Sequence, residues 1–162
     1  MSYSGAGLYD DDTAADVRAR YRELLADGAP DEEATNALIA EWGDLLDDPD
    51  DAPAFWLALA DTQAKVGRLE DRVRTQALEL IDGGTDLARF AHDRRLRARR
   101  QQVLAKLAER LTGPQRSPVR VRQPLRSLSP VTSGDIFWCA LPSGRRVLLR
   151  CVGVSGDDRD SY

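Results

Sequence analysis

The sequence predicts a mainly α-helical protein: a multi-helix domain of orthogonal or bundle type, a Pro/Arg-rich linker and a C-terminal β-hairpin. Three observations carry this. Apolar residues recur at steps of three and four through most of residues 12–111, the spacing of one helix face. Gly113-Pro114 then opens a stretch holding Pro118, Pro124 and Pro130, which suits an extended polyproline-like linker. After Gly134 the chain turns to aromatic and branched residues around Leu141-Pro142-Ser143-Gly144, a tight-turn signature. The expected divisions are a helical domain over 8–112, a linker over 113–133 and a hairpin appendage over 134–162.

The first helix is expected to begin at Asp12 as N-cap, with Asp16 near the positive end of the helix dipole. Val17, Tyr21, Leu24 and Leu25 form its apolar face, and Gly28 ends it. A second helix follows Pro30, with Asp31, Glu32 and Glu33 in its first turn and Ala34, Leu38, Trp42, Leu45 and Leu46 facing in. The centre of the domain is Ala52–Gly67, APAFWLALADTQAKVG. Pro53 fits a first turn, where its missing N–H is not needed. Phe55 to Ala60 run without a polar break, as in a buried helix, and Gly67 is a natural stop. A further helix is expected from Leu69 to Asp82, with Leu69, Val73, Ala77, Leu80 and Ile81 inward. Gly83-Gly84 breaks it. A short helix over Asp86–Ala91 leads to a long one over Asp93–Leu111, with a stripe of Leu96, Val103, Leu104, Leu107 and Leu111.

In the hairpin, strands are expected over Ile136–Leu141 and Arg146–Val152. A type I turn with Gly144 at the left-handed bulge position pairs Leu141 with Arg145. Phe137, Cys139, Leu141, Val147, Leu149 and Cys151 then share one face. A lone two-stranded hairpin is marginal in water. It must pack on the helices, receive strands from a partner chain, or be a truncated piece of a larger β-domain; truncation is the preferred reading.

Charge is unevenly spread. Residues 1–66 carry 16 acidic and 4 basic side chains; residues 67–132 carry 7 and 15. The simplest expectation is that these halves neutralise each other in the fold. There are 21 arginines against 2 lysines, which GC-rich coding explains. Arginine content is therefore weak support for nucleic-acid binding. No segment approaches the roughly 20 apolar residues of a membrane helix, and the N-terminus lacks a secretion signal. The expected location is the cytoplasm. Two cysteines are too few for a disulfide scaffold.

No catalytic arrangement is recognisable. His92 is the only histidine and has no nucleophile or metal-ligand spacing around it. Asp47, Asp48, Asp50 and Asp51 lack the spaced ligands and terminal Glu of a calcium loop. The expectation is a protein without enzymatic activity, metal or cofactor. The leading reading is a protein-binding module whose acidic loop, Asp47, Asp48, Asp50 and Asp51, meets a basic partner. The alternative is nucleic-acid association through Arg94, Arg95, Arg97, Arg99 and Arg100.

The opening Ser4-Gly5-Ala6-Gly7-Leu8-Tyr9-Asp10-Asp11-Asp12-Thr13-Ala14, with the FWLALADTQ and GRL segments, resembles an uncharacterised bacterial domain-of-unknown-function family. Its members open with a W-G-x-G-x-F-[DE]-[DN]-D-x-A pattern; Ser4 stands at the Trp position. The resemblance spans about residues 4–111 and implies no activity. Gly134-Asp135-Ile136-Phe137 with Leu141-Pro142-Ser143-Gly144-Arg145 is similar to the start of small β-domains among bacterial immunity proteins. That likeness implies a binding role of immunity or antitoxin type.

Overall fold

A computed structural model describes residues 5–122, 134–140 and 143–150. Among these the chain is mainly α, with seven helices followed by a two-stranded antiparallel hairpin. The helices are α1 (Asp12–Ala26), α2 (Asp31–Glu41), α3 (Gly43–Leu46), α4 (Ala52–Val66), α5 (Asp71–Gly83), α6 (Thr85–Ala88) and α7 (Arg94–Thr112). The strands are β1 (Ile136–Ala140) and β2 (Arg146–Arg150). Contacts divide the chain into two units, Met1–Gln123 and Pro124–Tyr162.

α4 is the axis of the helical unit. It packs against α1, α3, α5, α6 and α7. Phe55, Leu57, Ala58, Leu59 and Ala60 are completely buried. Being apolar on all sides, the Phe55–Ala60 run has no face to give to water, so the neighbouring helices close round it. Trp56 is the exception and stays half-buried, its ring set edge-on to Phe55 at 5.2 Å. Gly67 ends α4 in the left-handed region (φ +72), with the Arg68 N–H donating to Gln63 O at 2.9 Å. This closes the helix with a left-handed cap that glycine adopts at little cost.

Several boundaries differ from expectation. Asp11, not Asp12, caps α1: its Oδ1 accepts the Ala14 N–H at 3.3 Å. The second helix is not continuous. It stops at Glu41 and restarts as the single turn α3, because Gly43 is a poor helix former and Trp42 leaves helical geometry (φ −105, ψ 17). Ala34 and Leu38 are buried as expected, while Trp42, Leu45 and Leu46 only half-bury against the core. On α5, Val73 and Ala77 are buried, and Leu78 rather than Leu80 joins them at the core. α6 covers Thr85–Ala88 rather than Asp86–Ala91.

Residues 113–122, expected as linker, lie along the helical unit without helix or strand. The Val119 N–H donates to Val66 O at 2.9 Å, and Val121 packs on the core. Gln115 Nε2 donates to Arg110 O at 3.1 Å, satisfying a carbonyl at the end of α7. A side chain at Gly67 would collide with the Arg116 and Ser117 carbonyls, so this glycine also lets the strap approach.

The hairpin has the register that its turn chemistry predicts: Phe137 faces Leu149 and Cys139 faces Val147. Gly144 takes φ +77. Leu141, Pro142 and Cys151 lie outside the described residues. The opposite face, however, is also apolar. Ile136, Trp138 and Leu148 are all exposed, and Arg146 stacks over Trp138 at 4.8 Å.

Candidate functional site

The Gly-x-Gly-x-Tyr-Asp-Asp-Asp opening of the chain acts as an anchor. Asp10 folds back so that its Oδ2 accepts the Gly7 N–H at 2.7 Å. A Cβ on Gly5 or Gly7 would occupy the space that this carboxylate takes. Leu8 drops into the core and Tyr9 reaches α4, where its hydroxyl donates to Asp61 Oδ2 at 2.6 Å. Asp61 is almost fully buried and is also paired with Lys65 (2.7 Å) and Arg110. Arg18 and Lys65 stack on the Tyr9 ring at 4.8 and 5.0 Å. Asp11, besides capping α1, pairs with Arg89 at 2.7 Å.

The deepest ion pair joins Arg100 on α7 to Asp86 on α6. Arg100 Nε donates to Asp86 Oδ2 at 2.6 Å and Nη2 donates to Oδ1 at 2.9 Å. The third arm, Nη1, donates to Gly7 O at 2.7 Å. Arg100 is 2% exposed and Asp86 0%. Arg100 is thus a structural clamp and does not belong to the exposed arginine surface that was expected to include it. A bidentate guanidinium–carboxylate geometry satisfies both buried charges at once. A second polar group links α2, α4 and α5. Gln63 Nε2 donates to Thr35 Oγ1 at 2.8 Å, Thr35 donates to Glu70 Oε1, and the Glu70 N–H donates to Gln63 Oε1 at 3.0 Å.

The expected charge neutralisation is only partial. Ion pairs that join the acidic first half to the basic second are Arg68–Asp31, Arg89–Asp11 and Arg110–Asp61, whereas Arg20–Glu23, Arg20–Glu41, Lys65–Asp61, Arg72–Glu70, Arg74–Asp71 and Arg100–Asp86 stay within one half. Two charged surfaces are left over. Arg94, Arg95, Arg97 and Arg99 are exposed and form no ion pair among the described residues. Asp47, Asp48 and Asp50 are exposed on the loop from α3 to α4, and Asp51 is half-buried at its end. In this loop Asp48 Oδ1 accepts the Asp50 N–H at 2.9 Å, and among the described residues the acids form no ion pair. The half-buried Trp42, Leu45 and Leu46 precede this loop in the sequence and the half-buried Trp56 follows it, all packed against the core, with the Trp42 ring 6.2 Å from that of Phe55. Helical spacing places Trp42 and Trp56 in the core, whereas both remain half-buried.

Burial, and then the negative charge of Asp61, pushes the Tyr9 hydroxyl above its ordinary pKa of 10.0. Burial, with the charges of Asp31 and Glu70, does the same for Tyr21. The unfolded chain releases these protons near pH 10, whereas the folded chain keeps them. Their stabilisation is therefore complete below pH 10 and is lost as pH rises above it. Thermal melts between pH 9 and 11 should show falling stability, with a shallower fall in Tyr9→Phe/Tyr21→Phe. An unchanged slope in the double variant would contradict the assignment.

His92 is exposed and caps nothing. Among the described residues no three His, Cys, Asp or Glu side chains are grouped to hold a metal ion, and no helix is long and apolar enough to cross a membrane. No protein-family model matches the chain, and no curated protein or solved structure is found similar to it.

Proposed function

We propose that this is a non-catalytic protein-binding module of the cytoplasm, of immunity or antitoxin type, whose α3–α4 loop docks on a basic partner protein. One observation carries the reading: Asp47, Asp48 and Asp50 are exposed without cationic partners among the described residues, on a loop flanked in the sequence by the half-buried Trp42 and Trp56. Acids buried elsewhere, such as Asp61 and Asp86, are matched internally. Unmatched acids steer a cationic surface toward the loop, and the tryptophans supply the apolar anchors that dominate interface energy. The reading requires no metal or cofactor.

Replacing Asp47 and Asp50 together by Lys should leave the melting temperature nearly unchanged, since both are exposed and unpaired. It should weaken binding to the partner co-purified from the native host by about tenfold or more at low salt. Undiminished capture of the same partner would remove the loop from the interface. The exposed, unpaired Arg94, Arg95, Arg97 and Arg99 favour a second reading, association with nucleic acid. Against it stands the net charge of −4.

A further inference from the structure

Two features that the sequence sets far apart, the glycine-rich opening and the arginine run, form opposite sides of one open concavity of about 430 Å³. One wall is the backbone of Gly5, Ala6 and Gly7, where the two glycines bring no side chain. The other is a single face of α7. Leu96 and Val103, both half-buried, supply its apolar part. Arg99, Gln102 and Lys106 stand exposed above them. Arg99 and Lys106 are seven residues apart, about 10 Å along a helix rising about 1.5 Å per residue. Neither forms an ion pair. The one carboxylate at the edge, Asp10, already has its Oδ2 on the Gly7 N–H.

We infer that this groove is a binding site for a small organic anion, a phosphate or carboxylate carried on an apolar body. The volume falls within the range of small-molecule sites, about 300–1,000 Å³. Two unpaired cations against one engaged carboxylate set the preference for negative charge. Leu96 and Val103 favour a ligand with an apolar part over a bare inorganic ion, because its burial adds to the charge attraction. The site is separate from the acidic loop and does not depend on the reading of that loop.

The test is a titration of the ¹⁵N-labelled full chain with 1-naphthyl phosphate, 1-naphthoate and inorganic phosphate, followed by amide NMR shifts. Saturable shifts are expected at residues 5–7 and 96–106, with at least one naphthyl anion binding tighter than inorganic phosphate. Their relative affinity distinguishes phosphate from carboxylate recognition. Arg99→Gln or Lys106→Gln should each weaken binding about fivefold, the scale of one charge-assisted hydrogen bond. Arg97→Gln is the control: it removes the same charge from the same helix, but about 200° round the axis from Arg99. It should leave affinity unchanged while all three variants keep the parent amide spectrum elsewhere. Equal weakening by Arg97→Gln, non-saturating shifts, or shifts centred outside these segments would overturn the proposal.

Discussion

Arg100→Ala should cost about 3–5 kcal/mol, a large share of the about 5–15 kcal/mol that holds a domain together. The cause is Asp86. It is 0% exposed and its carboxylate rests on two arms of Arg100. Removing the guanidinium leaves a buried anion with no counter-charge and also frees the Gly7 carbonyl. Arg100→Lys should rescue little, because an ammonium cannot match both carboxylate oxygens and Gly7 O with one planar fork. Arg100→Met with Asp86→Leu should recover a large part of the loss, because it removes both charges together. Urea denaturation of the three variants is the measurement. A loss below about 1 kcal/mol in Arg100→Ala would mean that the pair is solvated.

Phe55→Ala should cost about 3–5 kcal/mol and Leu59→Ala about 2–5, through lost burial plus an unfilled cavity. Both side chains are 0% exposed, Phe55 at the end of the first turn of α4 and Leu59 at its middle, between helices that cannot collapse inward without losing their own contacts. Trp56→Ala should cost less than Phe55→Ala, because part of the indole already meets solvent. Thermal or chemical unfolding orders the three. Both buried positions costing under about 1 kcal/mol would remove α4 from the centre of the fold, and Trp56 proving the most costly would contradict its partial exposure.

Helix existence was legible because it depends on local periodicity and punctuation. Gly67 and Gly84 end helices as expected, and the hairpin register follows from the turn chemistry of Leu141-Pro142-Ser143-Gly144. Long-range polar pairing was not legible. Arg100 stands among exposed arginines at 94–99, and nothing in its immediate neighbours distinguishes it. One signal existed: with Leu104, Leu107 and Leu111, it lies on the buried face of α7. Helical phase alone would have marked it as an inward-facing charge needing a partner. The motif GLYDDD was visible as a pattern, but its purpose lies in Asp61, Asp86, Arg89 and Arg100, all more than 50 residues further on. The exposure of Asp47, Asp48 and Asp50 was legible because charge on a Pro-containing turn requires no knowledge of the core, whereas the half-burial of Asp51 was not.

Site-specific photo-crosslinking tests the binding account most directly. A benzophenone amino acid placed at Asp48, and separately at Arg97, samples the two unmatched charged surfaces in extract from the native host. The account predicts that the Asp48 position captures one basic protein, that raised salt abolishes the product, and that the Arg97 position does not capture it. Crosslinks from Arg97 to nucleic acid, with none from Asp48, would contradict the account and favour the arginine surface instead.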